Sequence, residues 1–478
     1  MPIPAYLYDK IASSITKLIE EGTYRPGDRI PSIRKMSKQQ GVSVSTILQA
    51  YLVLENRGII EARPQAGYFV RIPEFDRLPE PERSSPSADP SHVGLHQLMM
   101  IMLRDALDPN LVQLGAAMPN IEFLPTKRLN RITSRLARQS GEEAHQYEIP
   151  PGLKELRLQI AKRSLRYGCH FSPDDIIITS GGVEAIDLCL NTVCNPGDIV
   201  AIESPMYFGT LQTLEVRGLR TLEIPTHQRD GMDLDALRFA IKQNKIKAIL
   251  VISNFNNPLG SCIPDEKKKE LAALAATYQI PIIENDVSGE LYFADKRPST
   301  IKAYDEAGLV MLCSSFSKDI SPALRVGWVA AGQYKSEIEW RKFTANAATA
   351  TLPQMVIAEF LESGGYDYHL RQLRREYARN VKLLSQAVKN YFPPETRVSR
   401  PTGGFVLWVQ LPGKIDALDL YKVALENDIT ITPGHLFSPT NQFSNFIRLN
   451  AAMWTLPIER AVEKLGEILY GMMGIERG

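Results

Sequence analysis

Apolar residues recur at helical spacing at Tyr8, Ile11, Ile15, Leu18 and Ile19, which predicts an amphipathic helix stopping at Gly22, ahead of the turn-forming Arg25-Pro26-Gly27-Asp28. A second helix is expected after Pro31, with Ser32 near its start, ending before Gly41. Ser43 suits the N-cap of a third helix, in which Ile47, Ala50, Tyr51 and Leu54 share one side and Ser45, Thr46 and Gln49 face outward. Ile59 to Val70 reads as two short strands around a polar turn, a wing. Helix, short Gly-containing turn, helix is the helix-turn-helix pattern.

Between Pro73 and Ser91 the periodicity stops, and five prolines and four serines leave almost no large apolar residue to build a core. A flexible linker is therefore expected over 72–95, separating a domain at 1–71 from one at 96–478. From about His96 onward, apolar runs such as DIIIT, IVAIE, IKAILVIS, IPIIEND and LVMLCSS alternate with amphipathic stretches. That alternation predicts an α/β domain around a mostly parallel sheet.

Composition sharpens this division. The net charge of the 478 residues is +1, but residues 1–71 hold ten Lys/Arg against six Asp/Glu, leaving 45 against 48 in the remainder. A basic small segment ahead of a near-neutral body fits a nucleic-acid reader. The five cysteines have neither CxxC spacing nor nearby histidine pairs, so no disulfide framework and no metal site is expected. The N-terminal stretch has no apolar run of signal-peptide or membrane-span length, and a cytoplasmic location is expected.

The richest chemical segment is Ser314-Ser315-Phe316-Ser317-Lys318, continuing to Arg325-Val326-Gly327-Trp328. It follows the apolar run Leu309 to Leu312, so its hydroxyls and lysine leave the end of a strand, where ligands of open sheets sit. An amine held there suits condensation with an aldehyde cofactor, while Ser315, Ser317 and Arg325 suit a phosphate.

The stretch PSIRKMSKQQGVSVSTILQAYLVLENRGIIEARPQAGYFV resembles the winged helix of GntR-type regulators. The resemblance implies that Ser32, Arg34, Ser43, Ser45, Thr46 and the wing residues Arg63, Gln65 and Gly67 lie against double-stranded operator DNA. Val44 departs from it, since the family often has arginine after the serine that opens the recognition helix.

The lysine segment resembles that of fold-type I aminotransferases, with Lys318 as the Schiff-base lysine of pyridoxal 5'-phosphate. Further landmarks follow in order. Thr179-Ser180-Gly181-Gly182-Val183-Glu184-Ala185 resembles the phosphate loop, with Gly181, Gly182 and Val183 at a helix start. Tyr207 falls where the family stacks an aromatic ring on the pyridine, and Asn257 where it bonds the ring hydroxyl. Tyr147 resembles the tyrosine that reaches the neighbouring subunit's phosphate. Arg448 falls where aminotransferases clamp a substrate carboxylate.

At Glu284-Asn285-Asp286-Val287-Ser288 the chain departs from Glu-Asp-Asp-x-Tyr: by register Asn285 replaces the aspartate on the pyridine nitrogen and Ser288 the tyrosine. A neutral amide holds the ring nitrogen's proton less well than a carboxylate, so transamination is expected to be weak or absent. Asp286 would substitute only through a one-residue slip, which turns it to the other side of the sheet.

A GntR-like reader on an aminotransferase-like body is the layout of the MocR regulators. The expected fold is an N-terminal winged helix-turn-helix, mainly α with a β wing, followed by a large α/β pyridoxal-phosphate transferase domain with a smaller C-terminal α+β subdomain over about 370–478. The resemblance implies a head-to-tail homodimer that binds an amino acid or amine effector. The competing readings are a working aminotransferase tethered by its first domain and a cofactor-free dimerisation scaffold; visible absorbance of a bound cofactor separates the second from the rest.

Overall fold

The computed structural model describes residues 7–63, 66–72, 78–94, 96–413 and 415–475. The chain forms two compact units, which divide between Arg77 and Leu78.

In the first unit, helices Leu7–Glu20, Ile33–Gln40 and Val44–Asn56 are followed by an antiparallel hairpin, Ile60–Arg63 with Gly67–Val70. Both later helices start on a serine cap. Ser32 Oγ accepts from the Lys35 amide at 3.3 Å and Ser43 Oγ from the Thr46 amide at 3.1 Å. Gly41, at φ +63°, ends the second helix with a left-handed residue that costs glycine little. Ile11, Ile15, Ile30, Ile47, Tyr51, Leu54 and Val70 close the core. Gln65, expected at the wing tip, lies outside the described residues.

The body is built on a nine-stranded sheet. Its path runs Ser91–His92, Arg220–His227, Ile199–Ser204, Ile246–Val251, Ile282–Asn285, Val310–Ser315, Gly327–Ala330, Ile176–Thr179, with Gly231–Met232 paired to Arg220–His227 off this path. The five strands from Arg220–His227 to Val310–Ser315 are parallel neighbours, and Gly327–Ala330 is antiparallel to both its neighbours. Every residue of Ile176–Thr179, Ile282–Asn285 and Val310–Ser315 is buried, as expected of strands covered on both faces.

The smaller subdomain has a four-stranded antiparallel sheet, Arg397–Val398, Val406–Gln410, Phe446–Asn450, Thr432–Pro433. It is not made of the C-terminal hundred residues alone. Met99, Met102 and Leu114 share its core with Trp408 and Leu449, and Val112–Gln113 pairs in parallel with Ile429–Thr430. The early stretch of the body therefore folds into the late subdomain.

The expected flexible linker also needs correction from Leu78 onward. The Pro79 carbonyl accepts from the Val398 amide at 2.9 Å, Glu82 donates its amide to Gln410, Glu80 pairs with Arg229, and Arg83 pairs with Asp233. Ser91–His92 then adds an edge strand to Arg220–Thr221. A proline-rich stretch with no core of its own is ordered here because its carbonyls and charged side chains find partners on the body.

Candidate functional site

The lysine segment leaves the sheet at Ser315. Ser315 Oγ accepts from the Ser317 amide at 3.3 Å, and Lys318 Nζ donates to the Ala117 carbonyl at 2.8 Å. Burial, with Arg448 and Arg325 nearby, pulls the Lys318 ammonium down to about 8. A lysine so shifted supplies neutral amine near neutral pH, which is the form that condenses with an aldehyde.

The phosphate-loop glycines lie beside this segment. Gly182 opens the helix Gly182–Val193, whose first amides have no intrahelical acceptor. A Cβ on Gly182 would stand 2.9 Å from Val287 Cγ2 and 3.6 Å from Ser315 Cβ. On Gly181, at φ +89°, it would strike the Arg325 guanidinium. Arg325 donates to the Ser180 carbonyl at 3.0 Å and lies 3.5 Å from Ser317 Oγ. Amides, two serines and an arginine thus surround a cradle from which Cβ atoms are excluded, a donor set suited to a phosphate. Val183, next along the helix, is exposed.

Arg448, on strand Phe446–Asn450, has no exposed surface. It donates to Asn257 Oδ1 at 3.0 Å, to the Gly115 carbonyl at 2.8 Å and to Thr432 Oγ1 at 3.3 Å. Its Nε is buried without a partner, and no carboxylate pairs with it among the described residues. Burial lowers its pKa to about 10. An uncompensated buried guanidinium is costly, and an entering carboxylate relieves that cost. Tyr207, half-buried ahead of helix Phe208–Val216, packs its ring 4.7 Å from that of Phe208.

Asn285 closes strand Ile282–Asn285 opposite Cys313, and its Oδ1 accepts from the Val287 amide at 3.2 Å. Asp286 is committed elsewhere: it forms a buried ion pair with Arg297 and accepts from Asn254 Nδ2 at 2.8 Å. The carboxylate next in sequence therefore does not stand in for Asn285. Ser288 follows, half-buried, with its carbonyl accepting from Leu291.

Within one chain the structure gathers Lys318, Ser315, Ser317, Arg325, Gly181 and Gly182, and joins Asn257 to Arg448. Tyr147 is 83% exposed, on the surface of the body. The sequence reading missed the carbonyls of Gly115 and Ala117, which hold Arg448 and Lys318. The signal was the small-residue run Gly115-Ala116-Ala117: a Cβ on Gly115 would lie 2.8 Å from the Ile431 backbone.

In the reader, Arg34, Ser43 and Ser45 are exposed and Thr46 is half-buried. Arg63 is engaged within the wing, paired with Glu61 at 2.7 Å and lying over the Phe69 ring at 4.2 Å. Gly67, at φ +104°, would bring a Cβ within 3.3 Å of Arg29, an exposed cation that the sequence reading passed over. Val44 is exposed, as are Leu48 and Leu52 on the same helix.

A winged helix-turn-helix ahead of a buried lysine site on a fold-type I sheet defines a transcription regulator with an aminotransferase-like body, a fold whose cofactor is pyridoxal 5'-phosphate. The chain belongs to the aminotransferase class I and II family, which matches residues 120–465, and over residues 7–70 it matches the bacterial regulatory proteins of the gntR family; the combination is of the MocR type. It is 38% identical to the uncharacterized HTH-type transcriptional regulator YjiR of Escherichia coli, across 98% of this chain and 99% of that one. It is 31% identical to the 2-aminoadipate transaminase of Thermus thermophilus, across 77% of this chain and 92% of that one. Among solved structures, LysN, an alpha-aminoadipate aminotransferase from Thermus thermophilus, superposes with a TM-score of 0.73 at 30% identity, covering 78% of this chain and 95% of that one. No helix among the described residues is long and apolar enough to cross a membrane.

Proposed function

We propose that this protein binds operator DNA as a homodimer and senses an amino compound through pyridoxal 5'-phosphate held at Lys318. The carrying observation is the pairing of an intact capture site with a neutral residue where turnover needs a charge: Lys318, Asn257, Arg448 and the Gly181-Gly182 cradle are present, while Asn285 replaces a carboxylate and Asp286 is locked to Arg297. The cofactor supplies an aldehyde that exchanges amines. The chain's own residues do the rest.

Gly181, Gly182, Val183, Ser315, Ser317 and Arg325 hold the phosphate, with Tyr147 completing the partner subunit's site across the dimer. Tyr207 covers the ring, Asn257 meets its hydroxyl, and Asn285 and Ser288 border it. Arg448 draws in the effector's carboxylate and so orients its amine toward the position of Lys318 Nζ. The head-to-tail dimer gives the operator two readers, whose Ser32, Arg34, Ser43, Ser45, Thr46, Arg63, Gln65 and Gly67 meet phosphates and base edges. Effector binding acts on DNA affinity to the extent that it prefers one conformation of the body.

Absorbance spectra of the wild type and Lys318→Ala, before and after borohydride reduction and during titration with a panel of amino acids, test this reading. The expected result is a visible band that reduction fixes to the wild type alone, and a band shift without stoichiometric keto-acid release. A colourless wild type in excess cofactor overturns it in favour of a scaffold. Steady keto-acid release overturns it in favour of an aminotransferase.

A further inference from the structure

Immediately after Lys318 the chain buries an acid that the capture chemistry does not use. Asp319 is 3% exposed. Its Oδ2 accepts from Tyr366 Oη at 2.5 Å, and its carbonyl oxygen lies 2.5 Å from His369 Nε2. Tyr366 and His369 sit in the first turns of the helix Gly365–Tyr391.

That helix belongs to both cores of the body. Its foot, at Tyr366 and Leu370, packs with Phe316 and Ile320 in the large subdomain. Its far part, at Val381, Leu384 and Val388, packs with Trp408 and Leu449 in the small one. Twenty-seven helical residues span about 40 Å. The lysine turn is thus fastened to the foot of a rigid rod whose other end lies in the subdomain that carries Arg448.

The fastening is incomplete in one respect. Asp319 Oδ1 is buried without a partner, and the residue borders a cavity of about 30 Å³ lined also by Arg163, Glu290, Arg297, Ser315 and Tyr366. A space of that size, with charged groups of Arg163, Glu290 and Arg297 on its wall, has room for about one water beside the carboxyl.

We propose that Asp319 is a positioning residue: with Tyr366 and His369 it latches the Lys318 turn to the helix Gly365–Tyr391, so that displacement of Lys318 by an incoming amine is passed to the small subdomain. The proposal rests on the reading that Lys318 holds the cofactor. The latch also restrains Lys318 in its resting position, so loosening it makes capture easier and its transmission poorer.

The test uses the full-length, cofactor-loaded protein with aminooxyacetate, a reactive amine analogue bearing a carboxylate. Two signals are read: the amine concentration that half-shifts the visible band, and hydrogen exchange along residues 365–391 before and after capture. Asp319→Leu and Tyr366→Phe are expected to lower the half-shift concentration by roughly threefold or more and to abolish the exchange response of the helix. Asp319→Asn, which keeps an acceptor for Tyr366 Oη, is expected to restore both, an outcome that loss of packing alone does not produce. Tyr366→Phe removes a single hydroxyl and keeps the test decisive if Asp319→Leu does not load cofactor. A wild-type helix that does not respond, or Asp319→Leu and Tyr366→Phe proteins that respond as the wild type does, overturn the latch. A wild type without a visible band overturns the Lys318 reading itself.

Discussion

In the reader, the described residues expected to meet DNA are exposed or half-buried, and the hydrogen bonds they make run to near neighbours: Ser32 to Lys35, Ser43 to Thr46, Arg63 to Glu61. In the body, the partners come from far along the chain. Lys318 reaches Ala117, and Arg448 reaches Asn257 and Gly115, across separations of 201, 191 and 333 residues. Within that site Arg448 Nε is buried without a partner. The reader's site is a surface prepared locally, where each contact counts for little and DNA supplies the rest. The body's site is a buried arrangement in which removing one group strands another, so single changes there have large effects.

The sharpest way to break that contrast is Arg448→Leu. In a buried, hydrogen-bonded charge pair, loss of one partner costs about 2–5 kcal/mol, and carboxylate-bearing amines should lose affinity by that amount in an absorbance titration. The melting temperature of the ligand-free protein should change little, because removing a buried guanidinium that has no carboxylate offsets the donors lost by Asn257 and the Gly115 carbonyl. Unchanged amine affinity would mean that Arg448 is a structural group and that the body's site resembles the reader's more than the geometry implies.

Asn285→Asp comes next. A carboxylate beside a cation favours the charged form by about 1–3 pKa units, so single-turnover conversion of an amino acid to its keto acid should rise roughly tenfold or more. Asp286 cannot blur the comparison, since Arg297 and Asn254 hold it on the other side of the strand. A variant no faster than wild type would show that Asn285 is not what holds turnover back.

The two regions also differ in how much of them could be read from the sequence. The reader was legible almost throughout because its signals are local: serine caps three residues from the amides they accept from, Gly41 at a helix end, a hairpin of two short strands. In the body, the sheet and the lysine segment could be seen in the apolar runs. What could not be seen were the joins made by distant residues. Nothing in the composition of 78–94 reveals that Arg83 meets Asp233, or that Glu80 meets Arg229. Met99 and Leu114 gave no sign that they complete a core built mainly after residue 380. The conflict at Asn285 was visible as a departure from a motif, but the fate of Asp286 required Arg297, eleven residues on and across a turn.

Stability against pH separates the regions further. Burial raises the carboxyls of Glu203 to about 8, Glu284 to about 7 and Asp319 to about 7, with the neighbouring Asp286 adding to the effect on Glu284. Each binds its proton more tightly folded than unfolded, so the folded body loses stability as pH rises from about 4.5 through these values. His369, held below 6.5 by burial, works the other way, while Glu223 and Glu148, also raised by burial, add to the three acids. The body's Tm is therefore expected to fall between pH 5 and pH 8. In the reader, burial raises Tyr51 still further above 10, out of this window. Calorimetry resolving two transitions checks this; a body transition that rises over the interval would mean that these acids are solvated.

The smallest expected effect is at Ser43, where the reader's own logic can be taken apart. Its Oγ accepts from the Thr46 amide at 3.1 Å and lies 2.8 Å from Ser45 Oγ and 2.7 Å from Thr46 Oγ1. Ser43→Ala removes a helix cap, a loss of about 1 kcal/mol, equivalent to roughly 4–8 °C in a domain of this size. If Ser43 only caps, operator affinity measured well below the melting range stays as it was. If the hydroxyl also meets a phosphate, affinity falls several-fold on every sequence while the salt dependence is unchanged, because serine displaces no counterion. Arg34→Ala is the contrast: losing one cationic phosphate contact lowers the slope of log affinity against log salt by about one. The expected pair of outcomes is a uniform loss with unchanged slope at Ser43 and a reduced slope at Arg34. If neither variant touches DNA binding, the recognition surface lies elsewhere on the reader, and exposed Arg29 beside Gly67 becomes the place to look.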